Sequence, residues 1–330
     1  MNIRVTHLSF AFLVLLLSSS CSPGGETDGN TLPDGKYPLT FTSSVEAMVE
    51  TRAATADGTW TEGDQIAVKV GEEVKEYSYG ENATFTVASG DPFYWTSVEE
   101  TKNVSAWYCG DGSTATGETH AEAIPTTWSV KSNQNADNGY QQSDILYAPA
   151  KEITFRDEQK SLDFYHQTAR VVINIKNAEA AIDAGSIRSV VIGDADNLAL
   201  SGSYTAPTGE GATAGTWNTS SGSPTMGTIT PKKLAAPHTL IGGETALASY
   251  AALVIPQQMK DKKFIAVTLT DGNTYYYTPT QDSDANLQGG KQYTYDITVK
   301  HGYLSVTSSA SPQWTGSGET INGKEKNNNP

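Results

Sequence analysis

Short runs in which apolar and polar residues alternate, separated by turn-forming residues, limit the fold of this chain more than any other feature. Residues 293–300, YTYDITVK, place an apolar side chain at every second position, which is the periodicity of a half-buried β-strand. Asp271-Gly272-Asn273 separates two such runs and is a strong hairpin signal, because glycine tolerates positive φ. No segment keeps a helical periodicity. We therefore predict an all-β fold of many short strands, arranged as a sandwich or an open barrel.

The predicted strands fall into two groups that meet near residue 166. Leu162 and Phe164 are apolar at even positions, whereas the next run, 169–175, is apolar at odd positions. Because a slip of one residue turns every side chain to the other face, the chain must bulge or break near His166. We predict one domain at 37–165 and a second at 166–314, and we interpret His166 as a structural imidazole rather than a ligand. The other predicted strands are 66–70, 74–79, 84–87, 104–108, 128–130, 145–147, 187–192, 247–255, 264–270, 274–278, 293–299 and 304–310.

The beginning of the chain has the features of an export signal. Arg4 precedes an apolar run at 10–17 and three serines, so residues 1–20 are predicted to be a secretory signal peptide. The apolar run is shorter than the roughly 20 residues of a membrane-spanning helix. Small residues directly before Cys21 resemble a bacterial lipobox, which predicts lipidation of Cys21, with palmitate among the acyl groups. Residues 21–36 are rich in Gly, Asp and Pro and are predicted to form a flexible, lipidated tether.

Residues 39–52, LTFTSSVEAMVETR, combine a predicted strand with a basic cleavage site. One face of this strand is apolar and the other mostly polar. Arg52-Ala53 follows, at the start of a small polar run that no sheet would accommodate, so a trypsin-like protease could cut there. Removal of the strand would leave a sheet with an open apolar slot. The apolar face is formed by Leu39, Phe41, Val45, Ala47 and Val49.

The acidic composition excludes several classes of partner. The 330 residues include 37 Asp and Glu against 22 Lys and Arg, which gives a formal net charge of −15. An acidic chain without basic runs is unsuited to binding nucleic acid or anionic lipid surfaces. Cys109 is the only cysteine besides Cys21, so no internal disulfide is expected. Its strand-like setting predicts a small buried hydrophobe.

No constellation of residues indicates catalysis, a cofactor or a metal. The five histidines have no zinc-ligand spacing. Asp282-Ser283-Asp284 and Asp194-Ala195-Asp196 begin like calcium loops but lack the required glycine and terminal glutamate, so they are interpreted as turns. Neither a GxSxG nucleophile motif nor a glycine-rich phosphate loop is present. We predict that the protein is not an enzyme and binds no cofactor or metal.

The aromatic residues leave a binding function open. An exposed ring can hold a sugar, although core packing and cross-strand pairs are the ordinary role of aromatic residues in a sheet protein. The candidates are Trp60, Trp95, Trp107, Trp128, Trp217 and the run Tyr275-Tyr276-Tyr277.

Several short motifs occur in a characteristic order along the chain. They are Thr51-Arg52-Ala53, WTEGDQIAV at 60–68, DILYA at 144–148, LDFYHQTA at 162–169, GKQYTYDITV at 290–299, and a terminal Leu304-Ser305-Val306 with Pro312-Gln313-Trp314. Together with the lipobox, these motifs resemble the fimbrillin family, the type V pilin-like (Mfa-like) surface lipoproteins of Bacteroidales. The resemblance covers nearly the whole chain and depends on the order of the motifs rather than on any one of them.

The resemblance implies two transthyretin-like β-sandwich domains in tandem and export to the cell surface as an outer-membrane lipoprotein. It also implies that a trypsin-like protease cuts after an arginine and removes the first strand. A C-terminal strand of another subunit then fills the slot. On this chain the cut maps to Arg52-Ala53, the removed strand to 39–49 and the donor to 303–314, with 291–300 as a further candidate. The donor's apolar residues are Leu304, Val306, Ala310 and Trp314.

These inferences predict a structural subunit of a cell-surface fimbria (pilus), assembled with other fimbrial subunits by protease-triggered donor-strand exchange. Residues 315–330 are polar and Asn-rich and are predicted to be a disordered tail. A subunit whose tail cannot donate would accept a strand and pass none on, as a tip subunit. The alternative function is therefore a fimbrial tip adhesin, or a monomeric surface lipoprotein, that binds a glycan or a host protein.

Overall fold

The computed structural model describes residues 32, 36–45, 60–110, 122–158, 160–176, 186–208, 211–240, 243–300, 303–311 and 319–324, with the backbone alone at 43–45, 82 and 319–324. These residues form β-strands, short 3₁₀ turns and loops, so the predicted all-β fold is confirmed. Within this part of the chain, no helix has the length and hydropathy needed to cross a membrane.

Twenty-one strands are present in the described residues. They are β1 (Tyr37–Pro38), β2 (Phe41–Val45), β3 (Gln65–Val70), β4 (Glu73–Gly80), β5 (Thr84–Val87), β6 (Tyr94–Trp95), β7 (Thr101–Cys109), β8 (Thr127–Ser129), β9 (Ile145–Thr154), β10 (Ser161–His166), β11 (Ala169–Lys176), β12 (Ile187–Ile192), β13 (Ser201–Thr205), β14 (Thr216–Asn218), β15 (Lys232–Lys233), β16 (Ala248–Val254), β17 (Ile265–Leu269), β18 (Thr274–Tyr277), β19 (Gln292–Lys300), β20 (Tyr303–Ser311) and β21 (Glu319–Lys324).

The first strands close into a seven-stranded barrel, in the order β10-β2-β5-β4-β3-β7-β9. The pairing of Tyr165 in β10 with Tyr147 in β9 closes the ring. The inner face of the barrel is apolar because strands such as β3 and β10 alternate in the way that the sequence predicts. Its core includes Leu39, Phe41, Ile66, Val68, Tyr77, Phe85, Val104, Ala106, Leu146, Ala148, Leu162 and Phe164.

The later strands form a sandwich. A six-stranded sheet in the order β15-β16-β11-β19-β20-β21 packs against a three-stranded sheet of β12, β17 and β18. Tyr295 of the larger sheet contacts Phe264 and Tyr277 across the interior, with ring centroids 5.5 and 5.8 Å apart. These are edge-to-face or tilted contacts, which aromatic rings prefer to a flat sandwich. The predicted sandwich is thus found in this part of the chain, whereas the first strands close into a barrel.

The sandwich core also receives side chains from the barrel. Strands β3, β7 and β9 bury both faces: Ala106 points into the barrel interior, whereas its neighbour Trp107 belongs to the sandwich core together with Cys109 and Ile145. The complete burial of Cys109 confirms its interpretation as a small core residue. Strand β8 lies within the predicted first domain, yet it pairs with β13 of the second. The division into 37–165 and 166–314 stays a prediction, and β8 departs from it.

The break near His166 is present. Strand β10 ends at His166 and β11 begins at Ala169. His166 is buried, and its Nδ1 lies 2.9 Å from Oδ1 of Asp144, which is also buried. This contact gives the buried imidazole and the buried carboxylate a polar partner each, in agreement with a structural role for His166.

The C-terminal tail differs from the prediction. Disorder is predicted for 315–330, but residues 319–324 form β21, which pairs with β20 from Ala310 opposite Glu319 to Ser305 opposite Lys324. A polar segment can do this because the hydrogen bonds of a β-ladder are made by the backbone and do not require apolar side chains. The prediction of disorder is therefore wrong for these six residues.

Two glutamine side chains extend the hydrogen bonding of strands. Gln134 accepts from the backbone N–H of Leu253 at 2.8 Å and donates to its carbonyl at 2.7 Å, beyond the point where β15 stops pairing with β16. Gln257 makes the same pair of bonds to Ala199, at 2.9 Å each. Both amides are buried. Each one supplies the hydrogen bonds that a neighbouring strand would otherwise make to the backbone of Leu253 or Ala199.

Candidate strand-exchange site

Strand β2 closes the barrel between two strands that do not otherwise meet. It pairs in parallel with β10, with Thr42 opposite Ser161, and antiparallel with β5, with Phe41 opposite Phe85. The backbone N–H of Thr42 also donates to the carbonyl of Lys160 at 2.9 Å. Without β2, the ladder edges of β5 and β10 would both lack a partner.

Two apolar side chains at and just before the start of β2, those of Phe41 and Leu39, are fully buried. Leu39 is 0% and Phe41 1% exposed. The ring of Phe41 meets that of Tyr77 edge to face, with centroids 5.4 Å apart. The alternation of apolar residues from Leu39 onward therefore directs these side chains into the barrel, as the sequence predicts.

The slot that holds these side chains is mostly aromatic. The ring of Trp60, which begins the described chain after β2, contacts Phe85, Phe164 and Tyr108 edge to face, with centroids 5.0, 5.2 and 5.4 Å away. Aromatic rings supply much apolar area with few rotatable bonds. These rings share one apolar core cluster with Leu39 and Phe41, so the slot between β5 and β10 is an apolar trough.

Strand β1 extends the slot beyond the barrel. Tyr37 pairs with Trp95 of β6, and its ring meets that of Phe155 edge to face at 5.9 Å. Between β1 and β2, the N–H of Leu39 donates to the carbonyl of Phe93 at 2.7 Å. We call β1, Leu39, Thr40 and β2 the N-terminal segment. It touches β6 at one end and β5 and β10 at the other.

Lysines border the outer end of this slot. The ammonium groups of Lys102 and Lys160 lie 5.3 and 5.8 Å from the centre of the Trp95 ring, which is within the range of a cation–π interaction. The amine of Lys160 also donates to the carbonyls of Phe155 and Asp157, at 3.0 and 2.8 Å. These lysines thus contact the cluster of Tyr37, Trp95 and Phe155, which we call the β1 compartment.

The phenol of Tyr77, whose ring contacts that of Phe41, stays neutral at ordinary pH. Burial raises the pKa of Tyr77 to about 12, although the backbone N–H of Phe93 donates to its hydroxyl. A neutral phenol suits an apolar trough, because a buried charge there would lack a partner.

Several residues predicted for this site lie outside the described part of the chain. They are the cleavage pair Arg52 and Ala53, the strand residues Ala47 and Val49, and the lipidation residue Cys21. Val45 is described by its backbone, as the last residue of β2 and the partner of Phe164. The roles predicted for all of these residues stay predictions.

The predicted donor strand is an internal strand of this chain's own sheet. Strand β20 pairs with β19 over its whole length and with β21 on its other side. Leu304 and Val306 are buried in the sandwich core, and Ala310 is half-buried. The candidate at 291–300 corresponds to β19, whose other neighbour is β11. Trp314 lies outside the described residues.

Sequence reasoning missed the β1 compartment. Tyr37, Trp95 and Phe155 come together from three distant parts of the chain, and β1 and β6 are only two residues long. Two residues cannot show a periodicity. The cluster of aromatic residues with lysines in 91–102 and 155–160 was the available signal, but it does not identify a partner.

The geometry of the slot is defined by backbone edges and apolar side chains. Among the described residues, no three His, Cys, Asp or Glu side chains come together as a metal site. The slot offers backbone ladder edges and apolar side chains, which are the two elements that recognise an added strand.

Comparisons with known proteins assign the chain to a family. The model of the fimbrillin-like family matches residues 51–314. The chain therefore belongs to the fimbrillin-like family. A comparison with curated protein sequences finds no match.

Two crystal structures resemble the chain in fold. One is of a candidate cell adhesion protein from Bacteroides uniformis, 20% identical, with a TM-score of 0.57, covering 87% of this chain and 99% of the other. The second is of a candidate cell adhesion protein from Bacteroides ovatus, 17% identical, with a TM-score of 0.56, covering 89% of this chain and all (100%) of the other. At this identity the likeness shows the fold alone.

Proposed function

We propose that the protein is a structural subunit of a cell-surface fimbria and joins other subunits by strand exchange at the slot of the N-terminal segment. One observation carries the proposal: among the described strands, β2 is the one that links β5 to β10 and so closes the barrel. Membership of the fimbrillin-like family supports it. Loss of this segment opens the slot, and an added strand closes it again.

The physical gain from refilling the slot is large. An open slot leaves the unpaired N–H and C=O groups of β5 and β10 beside an apolar trough. A strand that replaces Leu39 and Phe41 buries two large apolar side chains, at about 1.5–3 kcal/mol each. The renewed ladder hydrogen bonds add to this. Contacts of this kind that run head to tail without closing produce filaments.

Cleavage at Arg52-Ala53 by a trypsin-like protease is the proposed trigger. Strand β2 ends at Val45 and the described chain resumes at Trp60, so the cut falls in the connection between them. After it, the N-terminal segment is held by non-covalent contacts alone. Exchange for a partner's strand then requires no further covalent step.

The chain is proposed to act first as an acceptor. Its acceptor slot is formed by described residues, whereas the candidate donor β20 pairs with strands on both sides in the same chain. Donation would require β20 to leave those partners. A chain that accepts and does not donate is a tip subunit. Lipidation of Cys21 and attachment to the outer membrane belong to the same proposal, which places the protein at the cell surface.

Limited digestion tests the proposal. The purified protein is treated with catalytic trypsin, the new N-terminus is read by mass spectrometry, and size is followed on native and SDS gels. A product that begins at Ala53 and forms SDS-resistant ladders is expected for a subunit that both accepts and donates. A product that begins at Ala53 and stays monomeric, yet binds an added donor subunit, is expected for a tip subunit.

The matched control is Arg52→Gln, which keeps a polar side chain at the cut and removes the trypsin site. It should stay uncut at this position and should not polymerise. Assembly of the Arg52→Gln protein at the rate of the unmodified protein would rule out cleavage as the trigger. No cut at Arg52 in the unmodified protein, with the slot still filled, would leave the surface-lipoprotein alternative.

A further inference from the structure

A second concave site lies at the end of β10, outside the N-terminal segment. It has a volume of about 610 Å³ and is formed where the end of β10, strand β14 with its flanking loop, and the turn 286–291 come together. Ligand pockets in proteins typically have volumes of about 300–1,000 Å³. Of the aromatic residues that the sequence offers for sugar binding, Trp217 lines this pocket, whereas Trp95, Trp107 and Trp128 are buried in the core.

The walls of the pocket are fixed by the linker between β10 and β11. Gln167 donates to the carbonyl of Thr213 at 3.0 Å and accepts from the N–H of Gly215 at 2.8 Å. On the opposite side, a Cβ on Gly289 would come within 2.6 Å of the carbonyl of Gln167, so the turn presses its backbone directly against the linker. The cavity is thus built into the fold rather than formed by a loose surface loop.

Trp217 gives the pocket a rigid apolar wall. Its indole N–H donates to the carbonyl of Gln167 at 2.9 Å, and its ring packs against Tyr204 with centroids 4.8 Å apart. The ring is held on two sides, and its remaining surface contributes to the pocket. A ring fixed in this way loses little conformational entropy on binding.

The polar groups around the pocket are amides and hydroxyls. Asn218, Asn286 and Gln288 are exposed at its rim. The side-chain oxygen Oδ1 of Asn218 accepts from the backbone N–H groups of Ser220 and Ser221, which orients its side-chain NH₂ group as a donor. Each amide group presents donors and an acceptor, and so matches adjacent hydroxyls that both donate and accept.

The charge of the pocket contrasts with that of the protein. The whole chain has a formal net charge of −15, but the described lining residues include no Asp or Glu, and Lys291 is their one lysine. A phosphate-rich ligand would require several cations. A ligand with adjacent hydroxyls on a partly apolar ring is matched by an aromatic wall and neutral amide groups. This pocket offers both.

We propose that this pocket binds a saccharide unit. The C–H face of the sugar would lie on Trp217, and its hydroxyls would bond Asn218, Asn286 and Gln288. Lys291 would favour a sugar that carries a carboxylate or sulfate over its neutral counterpart. The inference does not depend on strand exchange, because the pocket shares no residue with the N-terminal segment.

A glycan array tests this inference on the purified protein. The probes are neutral oligosaccharides and matched oligosaccharides that carry a carboxylate or a sulfate, followed by isothermal titration with the best of them. Binding of at least one probe is expected. Gln288→Ala and Asn286→Ala should each weaken it about 3- to 10-fold, as expected for the loss of one or two hydrogen bonds. Lys291→Gln should remove the preference for the acidic probe.

The control is Asn103→Ala, which removes an equally exposed amide from β7, outside the pocket. It should leave affinity unchanged. Because Gln288 and Asn286 are exposed, their variants are expected to fold, which circular dichroism can verify. Binding to no probe, or equal binding by the pocket variants and the control, would overturn the inference. The inference would also be overturned if an extended peptide that pairs with the edge of β14 displaced the bound probe and free sugar did not.

Discussion

At the scale of single residues, Phe41 packs the N-terminal segment into the barrel core. It is 1% exposed and contacts Tyr77. Phe41→Ala is expected to lower the free energy of unfolding of the uncleaved protein by about 3–5 kcal/mol, because it removes a buried ring and leaves a cavity. The measurement is the midpoint of urea unfolding, followed by near-UV circular dichroism.

The neighbouring residue supplies the control for this prediction. Thr42 belongs to the same strand but is exposed, so Thr42→Ala should change stability by about 0.5 kcal/mol or less. Equal effects of the two substitutions would show that the face of β2 does not matter. In that case, the segment would be held by its backbone hydrogen bonds alone.

Buried tyrosines predict a loss of stability at alkaline pH. Burial raises the pKa of Tyr77 and of Tyr293 to about 12, whereas an unfolded tyrosine titrates near about 10. Between pH 10 and 12 the unfolded state releases protons that the folded state keeps, so the free energy of unfolding falls as pH rises through this window. Below pH 10 these tyrosines are protonated in both states and contribute nothing to the pH dependence of the free energy of unfolding.

Urea midpoints measured from pH 8 to pH 12 test this sign. In Tyr77→Phe the free energy of unfolding should fall less steeply between pH 10 and 12 than in the unmodified protein, because one of the responsible hydroxyls is gone. The comparison at pH 8 isolates the loss of the hydroxyl's bond to the Phe93 N–H. A slope that is the same in both proteins would contradict the assignment to Tyr77.

At the scale of secondary-structure elements, strands with a clear alternation of apolar side chains were predictable and strands of two residues were not. The strands at Thr84–Val87 and Ile187–Ile192 have the predicted bounds, because side-chain alternation over several residues defines a strand and its faces. The burial of Leu39 and Phe41 was predictable for the same reason. Strands β1, β6 and β15 have two residues each, and their pairing depends on neighbours in space that the sequence does not reveal.

The edge of β16 offers a prediction about one such short element. Gln134 is 2% exposed and supplies both hydrogen bonds to Leu253 where β15 has ended. Gln134→Ala leaves a buried N–H and a buried C=O without partners, and should cost about 2–6 kcal/mol of stability at about 1–3 kcal/mol for each group. Amide hydrogen exchange should show lower protection at Leu253 in particular.

A comparison within β16 makes this prediction specific. Val254 pairs with Ala169 of β11 on the other side of the strand, so the protection of its amide should change less than that of Leu253. Equal loss of protection along the whole strand would indicate general destabilisation. It would contradict the role of Gln134 as a replacement for a missing strand.

At the scale of the whole molecule, the barrel and the sandwich share strands that are buried on both faces. In β7, Val104, Ala106 and Tyr108 face the barrel core, whereas Trp107 and Cys109 face the sandwich core. Neither unit can lose β7 without exposing core residues of the other. Contacts of this kind couple the unfolding of the two units, whatever boundary between domains is assigned along the sequence.

We therefore expect the uncleaved protein to unfold in one calorimetric transition, with a van't Hoff enthalpy close to the calorimetric enthalpy. Trp107→Ala should shift the whole transition to lower temperature, because a buried tryptophan is worth about 3–5 kcal/mol and lies in the shared strand. Asn103→Ala, an exposed change in the same strand, should leave the transition in place. Two separate transitions in the unmodified protein, with Trp107→Ala moving only one, would show that the barrel and the sandwich are independent. In that case, opening the slot of the N-terminal segment would loosen the barrel alone. If the two units are coupled, opening the slot would destabilise the entire subunit until a partner's strand filled the slot again. A cleaved subunit that has not assembled should then have a measurably lower melting temperature than its precursor or its polymer.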